Sequence, residues 1–152
     1  MIYTIRFAHM ANIPNVKVGD KIASGMMVGV MGTSGQSTAA HVHTDCIEGE
    51  VSSPYKLVDI GTKYKVAKEQ LDFFIDKDLF GIFPVITTGF MDPEYRKVFG
   101  KDHPAYDVVP IDRFKTKEHF GIHWNRSIIG TAYLIVYQPE SYGHCLYVTF
   151  EA

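Results

Sequence analysis

Residues 28–43, VGVMGTSGQSTAAHVH, open as a β-like apolar run, break at Gly32 and Gly35, and close on two histidines spaced HxH. Gly29, Gly32 and Gly35 match neither phosphate-binding fingerprint, because both the GxGxxG order and a following Lys-Ser/Thr pair are missing. The stretch reads instead as a tight loop feeding a strand, with His41 and His43 on that strand.

Outward from this stretch the chain is punctuated by further short runs rich in Val, Ile, Tyr and Thr: Ile2 to Phe7, Met26 to Met31, His41 to Ile47, Pro84 to Thr88, Ile128 to Tyr137 and Cys145 to Phe150. Turn residues separate most of them, so a mainly β, antiparallel, sandwich-like domain is expected. One segment differs. In VAKEQLDFFIDKDLF, residues 66–80, Ala67, Leu71, Phe74, Ile75 and Leu79 recur at steps of three and four while Lys68, Asp72, Asp76 and Lys77 face away. That spacing predicts one amphipathic helix of about four turns, packed as a brace outside the core.

The chain has 152 residues, and 46% of them are apolar, which is enough for one domain to bury a core without disulfides or oligomerisation. Its 15 Lys and Arg are set against 17 Asp and Glu and are scattered, so neither nucleic acid nor an anionic membrane surface is an expected partner. No apolar window reaches the length of a membrane span, and the start MIYTIRFAHM lacks the basic-then-apolar order of a signal peptide. Cys46 and Cys145 fit no metal pair; buried free thiols are expected, with a disulfide as the alternative.

Two motifs carry the chemistry: His41 and His43 as HxH, and His103 with Asp107 as HxxxD. Either alone is of a kind that chance supplies; together they form a ligand set. Residues two apart on a strand share a face at about 6.6 Å between Cα atoms, so one histidine can hold a metal while its neighbour looks into the same site. A straight strand would part His103 and Asp107 by about 13 Å, so HPAYD must bend, and Pro104 argues against a continuous helix there. Two imidazoles and one carboxylate leave a fourth tetrahedral position open, the pattern of catalytic rather than structural zinc. A neutral imidazole nearby suits proton transfer, and His41 is placed for it.

On these residues the sequence resembles the lysostaphin and LytM type of zinc peptidoglycan endopeptidase. VKVGDKIASGMMVGVMGTSGQSTAAHVHTD resembles the glycine loop and HxH strand of that family, and EGEVSSPYKL its closing segment. IYTIRFAHMANIPNVKVGD is similar to the strand ending Tyr/Phe-Ala-His-Leu, which makes His9 the second active-site histidine beside His41. PVITTGFMDPEYRKVFGKDHPAYDVVP resembles the HxGxD segment, placing His103 and Asp107 as ligands with His43. Ala105 stands where the family has Gly, and Thr44-Asp45 where it has Phe-Glu.

In the family HxxxD precedes HxH, whereas here it follows. Read from 84 to 152 and then from 1 to 57, the usual order returns, so a circular permutation is expected within a single domain spanning 1–152. Residues 58–83 would join the old ends, and a hairpin between YVTFEA and MIYTIRF would have been opened. The resemblance implies one zinc ion, a peptidoglycan peptide substrate, a monomer or phage-particle component, and action on the bacterial cell wall as a phage lysin or tail protein. The alternative is a non-catalytic module of the same fold that binds wall or a protein partner. His119, His123 and His144 match no ligand position and are expected on the surface or along a groove, as are Tyr133, Tyr137, Tyr142 and Tyr147 on strands or cleft walls.

Overall fold

A computed structural model of the chain describes residues 1–112 and 120–152. Nine strands are present among them: β1 (Ile2–Met10), β2 (Lys21–Ile22), β3 (Met27–Val30), β4 (Val42–Glu48), β5 (Pro84–Thr88), β6 (Tyr106–Pro110), β7 (Gly121–His123), β8 (Gly130–Gln138) and β9 (Gly143–Glu151). Seven form one sheet in the order β2-β8-β9-β1-β4-β6-β5, with every pairing antiparallel; β3 and β7 form a second, two-stranded sheet. The protein is thus mainly β and antiparallel, and all six β-like runs of the sequence contain strands.

Strand alternation sorts side chains onto two faces of the large sheet. Ile5, Phe7, Val42, Cys46, Val108, Leu146, Val148 and Phe150 point to one side and join the larger apolar cluster with Val28, Ile122 and Trp124. Their neighbours Ala8, Ile47, Cys145 and Tyr147 point to the other side, where the chain from Val51 to Ile60 folds over them with Tyr55 and Leu57. Met1 and Ala152 lie together: β1 pairs with β9 from Ile2↔Glu151 onward, and the Met1 amino group donates to the Ala152 carbonyl at 3.2 Å.

The expected four-turn helix is shorter. Only α1 (Lys68–Asp72) is helical, followed by turns through residue 80. The apolar spacing reports burial correctly, since Leu71, Phe74 and Leu79 are fully buried. Tertiary hydrogen bonds win over the helical backbone: Asn125 Nδ2 donates to the Phe74 carbonyl at 2.9 Å and to Asp76 Oδ1 at 2.8 Å, and that same carboxylate caps the Asp78 N–H at 2.8 Å. The segment is no outer brace either, because Leu71 and Phe74 enter the larger cluster, Phe74 against Phe7, Trp124 and Phe150. A second helix, α2 (Pro93–Phe99), is one the apolar spacing does not reveal; Asp92 caps it by accepting from the Glu94 N–H at 2.8 Å, Pro93 starts it and Gly100 ends it at φ 72°.

Candidate metal centre

Pairing of β4 with β6 sets His43 directly opposite Asp107, so motifs 64 residues apart in sequence meet across one strand pair. His43 Nδ1 lies 3.0 Å from Asp107 Oδ1. His103 stands in the bent segment before β6, where its Nε2 lies 3.4 Å from Asp107 Oδ2. One ligand atom from each of His43, His103 and Asp107 falls within 4.8 Å of the others. Three ligands at about 2.0 to 2.2 Å from a tetrahedral ion sit roughly 3.4 Å apart, so the group needs only small side-chain shifts to close on one cation. The donor set fits zinc in kind as well: imidazoles and a carboxylate, without thiolate.

His43 and His103 each have the other ring nitrogen tied. His103 Nδ1 donates to the Gly89 carbonyl at 3.0 Å, and Tyr95 of α2 packs on its ring at 4.5 Å between centroids. His43 Nε2 donates to Asp45 Oδ2 at 2.9 Å. Outer partners of this kind fix which nitrogen faces a metal. Burial alone would lower the His43 pKa, but hydrogen bonds to Asp107 and Asp45 outweigh it and raise it. Asp107 is held well below the usual carboxylate range: burial opposes ionisation, and His103 and His43 overcome it.

His9 reaches the same place through a β-bulge. Between Phe7↔Leu146 and Met10↔His144, β1 has two residues where β9 has one, and His9 adopts φ 59°, a conformation uncommon outside glycine. Ala8 faces the smaller cluster and Met10 the larger one, so the extra residue is what turns His9 toward His41, 4.8 Å away between ring centroids, and His43, 6.3 Å away. Its Nδ1 donates to the Ser34 carbonyl at 2.7 Å. Burial lowers its pKa to about 4, partly offset by that hydrogen bond. His41 points the same way: Nδ1 donates to the Ala39 carbonyl at 2.9 Å, and Nε2 lies 3.8 Å from Asp107 Oδ1.

The glycine-rich loop supplies the contact that orients His9. Gly35, at φ 75°, packs so closely on the 141–143 turn that a Cβ there would fall 2.3 Å from the Gly143 amide. Only glycine permits that approach. It seats Ser34, whose hydroxyl donates to the Met10 carbonyl and accepts from the His144 N–H at 2.9 Å.

All five expected site residues, His9, His41, His43, His103 and Asp107, therefore converge. His123 and His144 do not join them; His123 lies with Trp124 and Asn125 on a separate cavity of about 240 Å³, and His144 stacks on Tyr137. His119 falls outside the described residues. Tyr142 walls the site, 5.7 Å from the His43 ring, whereas Tyr133, Tyr137 and Tyr147 are strand residues. Cys46 and Cys145 are buried free thiols.

Sequence reasoning passes over Asp45, Arg6 and Tyr55. The HxH alternation extends to Asp45, which shares the face of His43, and Arg6 is a lone cation within an apolar strand; both signals are local and visible. Among the described residues no helix is long and apolar enough to cross a membrane. The chain matches no family model and no solved structure.

Proposed function

We propose that this protein is a zinc endopeptidase that cleaves peptide bonds of bacterial peptidoglycan, in stem peptides or cross-bridges, with the lysostaphin and LytM type of domain in circularly permuted order. The observation that carries the reading is the convergence of His43, His103 and Asp107 within 4.8 Å of one another, with His41 and His9 beside them. A structural ion is usually enclosed by four protein ligands, whereas this group has three among the described residues. The antiparallel pairing of β1 with β9 supports the permuted order, since it sets the 1–57 and 84–152 segments side by side in one sheet.

His43, His103 and Asp107 would hold zinc, which would supply Lewis acidity to the scissile carbonyl and to water. The chain's own residues handle the protons. His9 is neutral at pH 7, and because its Nδ1 hydrogen is committed to Ser34, Nε2 is a bare acceptor facing the site. His41 likewise commits Nδ1 to Ala39 and turns Nε2 inward. Nε2 of one of these imidazoles accepts the proton released by attacking water and, once protonated, passes it to the leaving amine. A phage lysin or tail-associated role follows from the same resemblance.

The test is digestion of purified peptidoglycan by zinc-loaded protein, with soluble products read by mass spectrometry. New peptide amino and carboxyl termini are expected, lost on chelation and restored by zinc. Wall binding without any cleaved peptide, by protein carrying no zinc, would point to the non-catalytic module instead.

A further inference from the structure

The carboxylate of Asp45 is the busiest polar group beneath the site. It is fully buried on β4, two residues beyond His43 and on the same face. Arg6 of β1, also fully buried, reaches it through Nε at 3.1 Å and Nη2 at 2.5 Å. Tyr55 donates its hydroxyl to the other oxygen at 2.8 Å, and His43 Nε2 completes the set. Arg6 is itself clamped: Nη1 donates to the Tyr55 carbonyl at 2.7 Å, and the guanidinium lies over the rings of Tyr142, at 4.1 Å, and Tyr55, at 4.5 Å. A buried ion pair is a poor device for stability alone, since apolar residues of similar volume often do as well. A carboxylate held by three hydrogen bonds from Arg6 and Tyr55 does offer a rigid acceptor for one imidazole nitrogen.

We infer that Asp45, clamped by Arg6 and Tyr55, is a positioning residue that holds the His43 ring with Nε2–H toward itself and so presents Nδ1 to the cation. The inference rests on the metal-centre reading given above. It carries an asymmetry that can be read directly. His43 binds through Nδ1 because Asp45 takes Nε2, whereas His103 binds through Nε2 because the Gly89 carbonyl takes Nδ1. Without Asp45 the His43 ring loses the bond that takes up Nε2–H and so fixes its tautomer.

The experiment uses the full chain labelled with ¹⁵N-histidine and loaded with zinc, and reads long-range ¹H–¹⁵N correlations of each imidazole together with zinc affinity by chelator competition. Wild-type His43 is expected to carry zinc on Nδ1 and a proton on Nε2, and His103 the reverse. In Asp45→Asn, affinity falls about 10- to 100-fold and the His43 pattern changes while that of His103 is retained. Tyr55→Phe leaves the Arg6–Asp45 pair in place and gives a smaller loss in the same direction, and it carries the test if Asp45→Asn does not fold. Zinc on His43 Nε2 in the wild type, or unchanged affinity and spectra in the variant that folds, overturns the inference. Zinc on Nδ1 without peptidoglycan cleavage defeats the endopeptidase reading and leaves this one standing; full cleavage with unaltered zinc binding in Asp45→Asn does the opposite.

Discussion

The two faces of the large sheet are made by alternate residues of the same strands, yet they are built on opposite principles. On one face Ile5, Phe7, Val42, Leu146 and Val148 are fully buried within the larger apolar cluster. On the other, the alternating positions are Arg6, His43, Asp45 and Asp107, with a carpet of tyrosines. The apolar face gains free energy from area removed from water. The polar face loses hydration and recovers it through paired charges, so every partner there must be in place. Apolar packing and the candidate site are thereby divided across a single layer of backbone.

The polar face is most sensitive at its proposed ligands. His43→Ala is expected to abolish zinc binding and bring hydrolysis to background while the fold survives, as metal analysis beside a thermal melt would show. Retained stoichiometric zinc would remove His43 from the ligand set. On the opposite face Phe74→Ala should cost about 3–5 kcal/mol in urea denaturation and leave the zinc affinity of the folded fraction unchanged. A parallel fall in affinity would mean that the faces are not independent. Next in size, His41→Ala keeps zinc but lowers turnover by on the order of 10²-fold or more; loss of metal in this variant would contradict the division of roles between the two histidines of HxH.

The smallest effect is on pH. Burial would raise the Asp45 carboxyl, but Arg6 and His43 bring it to about 2, below the 3.8 of an exposed aspartate. A carboxyl whose folded pKa is depressed contributes stability that is complete above the unfolded value and is lost as pH falls through the folded one. The metal-free protein should therefore lose roughly 2 kcal/mol between about pH 4 and pH 2 from this group, a loss that Asp45→Asn should not show. Equal acid sensitivity of the two in denaturation curves would place the charge elsewhere.

Much of this division is written in local sequence. Alternation through IRFA and VHTDC marks both faces, and the paired spacings of His41 with His43 and His103 with Asp107 single out residues that converge in the fold. What is not local is harder to read. Periodicity over residues 66–80 reports which side chains are buried, but Asn125, distant in sequence, decides that the backbone turns after Asp72 instead of continuing as helix. The strand β6 hides behind Pro104 and Pro110 and a charged Asp107, and is a strand because β4 and β5 lie on either side of it. His9 enters the site only by an extra residue in β1, which no alternation rule anticipates.

In the proposed centre two imidazoles and one carboxylate from distant segments hold a single cation. Anomalous diffraction at the zinc edge from a crystal of the zinc-loaded protein measures this directly. One peak is expected, at about 2.0 to 2.2 Å from His43 Nδ1, His103 Nε2 and an oxygen of Asp107. A peak bound elsewhere, or none at that position under saturating zinc, would contradict the account.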